Sequence, residues 1–303
     1  MTAADRPRIG FVGIGAMGEP MAACLVKAGY AVTAFDSRTA RISEFVAAHG
    51  GITGTSLPEL ARTSDVVIMI LPNSAIVSDV LFGDGGMSPH LRPGTVVIDM
   101  TSGIPAVTVS LSERLADQGV VLFDAPVSGG VPRAVTGKLT IMAGGSEKAI
   151  DAAMPLLEAM GAVIRTGAIG TGHAMKALNN LVSSAGFLIG IEALLIGSRF
   201  GIDPETMVDI LNVSTGMNNS TQKKFKQYVL SRKFDSGFAL GLMVKDLSIA
   251  LGMARDQDVN APFAGLCRDL WAGASAMLGP QADHTAMALL SEKLAGREIG
   301  RKT

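Results

Sequence analysis

The sequence predicts an α/β N-terminal domain built on a doubly wound sheet, then an all-α C-terminal domain, the two joined by a long helix. Three observations carry this. Through the first half, short β-type apolar runs alternate with helical segments. Two of the runs, "DVVIMILP" and "GTVVIDM", are apolar without a break, the pattern of parallel strands covered on both faces. Near Gly170 the strand signals stop, and the rest reads as helix. The class changes within the glycine-rich "TGAIGTGH", which divides the chain into residues 1–166 and 167–303.

The elements follow in order. "RIGFVGI" is a strand, and "AMGEPMAACLVKAG" is helical, stopping at Gly29. "YAVTAFD" is the second strand, and "TARISEFVAAHG" is an amphipathic helix ending at Gly50. "SLPELA" opens a short helix with Ser56 and Glu59 spaced as a capping box. The two continuous apolar runs, "VVLFDAPV", "KLTIMAGG" and "AVIRTG" complete a sheet expected to be parallel. Helices follow at about 170–200, at "DPETMVDILN" with Asp203 capping and Pro204 in the first turn, and near 219–230, 237–258, 262–278 and 285–295.

The chain has 303 residues, 48% of them hydrophobic, ample for two cored domains. With 26 basic and 27 acidic side chains the net charge is −1, which offers no attraction to nucleic acid or to an anionic membrane. Two cysteines, Cys24 and Cys267, make no disulfide framework and point to a reducing, cytoplasmic setting. The N-terminal "MTAADRPRIGFVGIG" lacks the pattern of a secretory leader. The apolar stretch 181–201 contains Ser183, Ser184, Glu192 and Arg199, so burial in protein is expected rather than a membrane span. His49, His90, His173 and His284 are scattered without ligand spacing, so no metal site is expected. His173 stands three residues before Lys176 and is read as a satisfied or solvent-facing histidine.

Gly13-Ile14-Gly15-Ala16-Met17-Gly18 is a G-x-G-x-x-G loop between a strand and a helix. Among 36 glycines such a match can arise by chance. Its context makes it a Rossmann-type dinucleotide loop: Gly13 for the turn, Gly15 for approach to a pyrophosphate, Gly18 for helix–strand packing, and a helix N-terminus for the phosphates. Asp36 ends the second strand 21 positions after Gly15, where a carboxylate takes ribose hydroxyls and favours NAD. Arg38, two residues on, keeps NADP as the alternative.

Ser128-Gly129-Gly130 follows a sheet strand and offers a hydroxyl and unobstructed backbone amides to a carboxylate. In "GHAMKALNN", Lys176 and Asn180 are four residues apart and share one helix face. Read alone, that stretch is a snorkelling lysine with polar neighbours. Beside a cofactor loop and a carboxylate holder it becomes a proton relay, with partial burial lowering a lysine pKa ordinarily about 10.4.

Together "GFVGIGAMGEPMAACLVKAG", "DAPVSGG", "GHAMKALNN" and "KDLSIA" resemble the β-hydroxyacid dehydrogenase family, which includes 3-hydroxyisobutyrate dehydrogenase and tartronate semialdehyde reductase. The resemblance spans essentially the whole chain. It implies that Lys176 is the catalytic lysine, that Ser128, Gly129 and Gly130 hold the substrate carboxylate, and that Asn180 is a substrate-side amide. It implies further that Leu71, Pro72, Ser102, Met17 in the glycine loop and Lys245 border the dinucleotide. Three departures stand out. Cys24 replaces an Asn and is read as a packing residue. "TSG" leaves the hydroxyl assignment open between Thr101 and Ser102. "STGMNNSTQKKF" at 214–225 differs where the far end of the substrate is shaped.

The implied activity is NAD-dependent hydride transfer from a short β-hydroxyacid, with a small carboxylate-bearing substrate. NADPH-dependent reduction of tartronate semialdehyde, succinic semialdehyde or glyoxylate is the second reading. The helical domain would complete the substrate site and carry a homodimer or homotetramer contact. A 6-phosphogluconate dehydrogenase relative would carry a glutamate where Ser183 stands, an imine reductase would replace Lys176, and a non-catalytic NAD-binding protein would have no need of Lys176 and Asn180.

Overall fold

The computed structural model describes residues 6–299. Residues 1–5, part of the stretch read above as no secretory leader, and residues 300–303 lie outside the described residues. Two compact units divide the chain, the first ending at Lys176 and the second beginning at Ala177.

Among the described residues the first unit holds nine strands, β1 (Ile9–Val12), β2 (Val32–Phe35), β3 (Ile52–Thr53), β4 (Val66–Met69), β5 (Val96–Asp99), β6 (Val121–Asp124), β7 (Val127–Ser128), β8 (Leu139–Gly144) and β9 (Gly161–Gly167). Its helices are α1 (Gly18–Lys27), α2 (Thr39–His49), α3 (Leu57–Thr63), α4 (Ser74–Phe82), α5 (Pro105–Ala116), α6 (Gly130–Val135) and α7 (Glu147–Glu158). The sheet runs β3-β2-β1-β4-β5-β6, all parallel, and continues through β8. Strand order reverses at β1/β4, the switch point where dinucleotides bind in doubly wound sheets. Alternate residues serve opposite faces: Phe11, Ile68, Ile98 and Phe123 enter one apolar cluster, Val12, Val67, Val97 and Leu122 the other. Cover on both faces explains why β4 and β5 read as unbroken apolar runs.

Two expectations are corrected here. The sheet is not wholly parallel, because β8 lies antiparallel to β6 and β7, while β9 is parallel to β8. Apolar periodicity carries no information on strand direction, and the two-residue β7 is too short to show in it. At α3, Ser56 Oγ accepts from Glu59 N, but the Glu59 carboxylate bonds Thr55 Oγ1, so only half of the capping box forms. Asp203 caps as expected, accepting from Thr206 N at 2.9 Å.

The long helix α8 (Thr171–Phe200) opens in the first unit and runs through the second. In the second unit it is joined by α9 (Pro204–Asn212), α10 (Asn219–Lys223), α11 (Leu240–Asp256), α12 (Pro262–Leu278) and α13 (Met287–Ala295). Phe187, Ile191, Leu194, Phe225, Leu247 and Trp271 are buried in one cluster there. The single helix expected at 219–230 divides into α10 and a π-type turn, Phe225–Leu230, with Val229 N reaching Lys224 O. The break accompanies two tertiary contacts. The Phe225 ring packs where a Cβ on Gly190 would come within 2.5 Å of it. Lys224 Nζ lies 2.8 Å from His284 Nε2.

Burial and Lys224, in that order, push the His284 imidazole down to about 3. The ring is therefore neutral: Nε2 accepts from the ammonium, and Nδ1 faces Ser236 Oγ at 3.0 Å and Phe238 O at 3.3 Å. Only one side of α8 is covered. Val182, Ile189, Ile196 and Phe200 are exposed at 74%, 57%, 71% and 87%. The helix is long and apolar enough to cross a membrane by composition alone, with 44% of its most apolar window buried.

Candidate active site

The glycine loop leaves β1 at the switch point. Gly13 has φ +101°, and a Cβ there would sit 2.3 Å from Ile70 O, on the loop that follows β4. At Gly18 a Cβ would lie 1.8 Å from Gly13 O. Both positions therefore admit only glycine, which closes the turn and brings α1 against the sheet. Met17 stands at the N-cap of α1 without a capping side chain; Glu19 N donates to Gly15 O at 2.9 Å and Pro20 carries no N–H, so of the first turn the Gly18 N–H is left to another acceptor. A cavity of about 180 Å³ beside the loop is lined by Ile14, Gly15 and Arg41 among others. These features fit a dinucleotide phosphate.

Asp36 is buried at the end of β2 and accepts from Ile14 N and Arg38 N, each at 2.9 Å. The carboxylate thus ties the glycine loop to the turn after β2. Arg38 Nε and Arg41 Nη1 each lie 3.9 Å from it. Arg41 was not singled out from the sequence, because only the fold brings the first turn of α2 back to the loop. Leu71 and Pro72 follow β4, and Leu71 N donates to Thr101 Oγ1 at 3.1 Å. Thr101 is fully buried and Ser102 half-buried, so the hydroxyl pair divides into a structural member and an accessible one.

Ser128 lies in β7, paired with Thr140, and Gly129 and Gly130 are exposed with φ +132° and +68°. Four residues earlier, Asp124 ends β6 fully buried. Its Oδ1 accepts from Gly170 N and its Oδ2 from His173 N, both at 2.7 Å. Burial pushes this carboxyl above its ordinary range, with His173 and the two amides opposing the rise. The first turn of α8, which leads to half-buried Lys176, is thereby fastened to the end of β6. His173 is buried rather than solvent-facing, with Nδ1 2.8 Å from Thr108 Oγ1.

In the second unit Asn180 is buried and donates to Asp246 Oδ2 at 2.5 Å, while its Oδ1 accepts from Asn179 at 3.2 Å. Lys245 Nζ pairs with Asp246 Oδ1 at 2.9 Å. Asp246 therefore joins two residues selected from sequence. It went unselected itself, although it sits beside Lys245 in "KDLSIA". Cys24 packs against the first core with Sγ 3.4 Å from Ala134 O, and burial raises its thiol pKa, as suits an unreactive packing residue. Among the described residues no group of three or more His, Cys, Asp or Glu is arranged to hold a metal.

Two family models cover nearly the whole chain: the NAD-binding domain of 6-phosphogluconate dehydrogenase over residues 8–170, and the NAD-binding domain of NADP-dependent 3-hydroxyisobutyrate dehydrogenase over 170–291. The chain is 36% identical to 2-(hydroxymethyl)glutarate dehydrogenase of Eubacterium barkeri, across 96% of this chain and 97% of that one. It is 34% identical to L-threonate dehydrogenase of Cupriavidus necator, across 88% and 90%. Its structure resembles Mycobacterium tuberculosis 3-hydroxyisobutyrate dehydrogenase with L-serine, at TM-score 0.85 and 30% identity, covering 93% of this chain and 98% of that one. Two-domain coverage at this identity, on a fold with the dinucleotide loop at its switch point, places the chain in the β-hydroxyacid dehydrogenase family of NAD(P)-dependent oxidoreductases.

Proposed function

We propose that the protein oxidises a short β-hydroxyacid with NAD, using Lys176 as the proton relay. The observation that carries this reading is the fastening of the first turn of α8 to the end of β6. It sets Lys176 on a rigid element anchored at the strand end from which Ser128-Gly129-Gly130 departs. A nicotinamide bound at the switch point supplies the hydride acceptor. Ser128 and the amides of Gly129 and Gly130 hold the substrate carboxylate. Lys176 Nζ takes the hydroxyl proton as the carbinol carbon becomes a carbonyl, and returns one in the reverse direction. Asn180, one turn further along the same helix, orients the substrate, with Asp246 fixing its amide. Gly13, Gly15, Met17, Gly18, Asp36, Leu71, Pro72, Ser102 and Lys245 are assigned to the cofactor.

The exposed stripe Val182, Ile189, Ile196 and Phe200 recurs on one face of α8 and supports a homo-oligomer in which a second copy covers it. Substrate and cofactor are tested together in a rate screen with NAD and NADP, or with the reduced forms. The panel is 3-hydroxyisobutyrate, 2-(hydroxymethyl)glutarate, L-threonate, glycerate, L-serine, tartronate semialdehyde, succinic semialdehyde and glyoxylate. Turnover of a hydroxyacid with NAD supports the reading. Tight NADH binding without turnover of any of them would overturn it.

A further inference from the structure

Beneath the site elements of the first unit lies a buried polar network, of which the reading above draws only on the two amide bonds to Asp124. Asp99 and Asp124 are register partners at the ends of the parallel strands β5 and β6, and both are almost wholly buried. Asp99 Oδ1 accepts from Thr101 N at 3.0 Å, and Thr101 in turn accepts from Leu71 N. Asp99 Oδ2 faces His173 Nε2 at 3.9 Å, and neither atom has a hydrogen-bond partner. The other ring nitrogen of His173 meets Thr108 of α5. Asp124 takes the backbone N–H groups on either side of the start of α8.

That arrangement does for α8 what an N-cap side chain does for an ordinary helix. Gly170, the residue before the helix, has no side chain with which to cap it, so the acceptor comes from another strand. Space is tight as well. A Cβ on Gly172 would come within 2.3 Å of Met142 O and 2.7 Å of Asp124 Oδ2, and one on Gly103 within 2.8 Å of the His173 ring. Two amide bonds to one carboxylate fix the axial position of the first turn, and the ring contacts of His173 fix its rotation. Lys176 is three residues on, so its direction follows from both.

We infer that Asp124, supported by the Thr108–His173 contact, is a positioning residue that sets Lys176 for proton transfer by capping α8 from the sheet. The inference rests on the assignment of Lys176 as the relay. Asp124→Asn keeps the shape but offers one acceptor and turns an amide N–H₂ toward the second backbone N–H, so the turn must shift. A misplacement of about 1 Å costs about 100-fold in rate.

The test is a double-mutant cycle on the full chain, with kcat, NADH affinity and far-UV circular dichroism measured for each variant. Asp124→Asn is expected to lower kcat about 100-fold and Thr108→Val about tenfold, with NADH affinity changed less than about threefold. In a Lys176→Ala background both should change the residual rate less than about threefold, because the group they position is gone. Equal losses with and without Lys176 would overturn the inference, since a merely structural role acts on any residual activity. A folded Asp124→Asn enzyme at wild-type kcat would also overturn it. If Asp124→Asn does not fold, Thr108→Val carries the same comparison. Wild-type turnover by Lys176→Ala would instead sink the relay assignment, and the inference with it.

Discussion

Replacing Asp36 by alanine tests the cofactor reading. The carboxylate has two roles with separate costs. It satisfies the N–H of buried Ile14 and the N–H of Arg38, each at 2.9 Å. Leaving the Ile14 amide unsatisfied costs about 1–3 kcal/mol, which for a chain of this size lowers the melting temperature by roughly 2–12 °C. Each carboxylate oxygen keeps a further acceptor site for a ribose hydroxyl. Two such charge-assisted bonds at about 1.5 kcal/mol each amount to about 3 kcal/mol, or roughly 100-fold in kcat/KM for NAD. Arg38 and Arg41, 3.9 Å from the carboxylate, would then face a 2′-phosphate uncompensated. The ratio of kcat/KM for NAD to that for NADP should therefore fall at least 100-fold in Asp36→Ala, measured by initial rates at saturating hydroxyacid. Taking both cofactors on one preparation cancels any unfolded fraction. A ratio that moves less than threefold, or a wild-type enzyme that prefers NADP, refutes the reasoning.

Other outcomes follow from the second unit. His284 stays neutral down to about 3 in the fold, against an ordinary value of 6.5, because burial and Lys224 oppose its charge. The unfolded chain takes up this proton first, so stability should fall by up to about 1.4 kcal/mol per pH unit as pH drops below 6.5 toward 3. Urea unfolding of wild type and His284→Gln at pH 7, 5.5 and 4.5 isolates that slope; identical pH dependence in both would show that His284 does not titrate this way. Ile196→Glu, on the exposed face of α8, should convert an oligomer to a smaller species in light scattering, with circular dichroism unchanged. An unaltered mass would place the self-association surface elsewhere.

Much of the first unit was legible because its chemistry is local. The glycine loop follows a strand directly, and the steric reasons for Gly13 and Gly18 lie within one turn and its neighbouring strand end. Asp203 with Pro204, and the 30-residue α8, were equally readable from cap chemistry and apolar length. What escaped depends on tertiary placement. The antiparallel setting of β8, the return of Arg41 to the loop and the pairing of Asp246 with Asn180 involve residues far apart in sequence. For His173 the sequence left open a satisfied or a solvent-facing ring because no local pattern marks it; only the fold stacks α5, β5 and β6 around it. The π-type turn after α10 likewise answers to Gly190 and His284, not to its own sequence.

The central claim is that Lys176 moves the proton. Lys176→Ala, assayed with the preferred hydroxyacid from the screen and by fluorescence titration with NADH, addresses it most directly. The account predicts a fall in kcat of about 10²–10⁴-fold with NADH affinity changed less than about threefold. Turnover within threefold of wild type would contradict it.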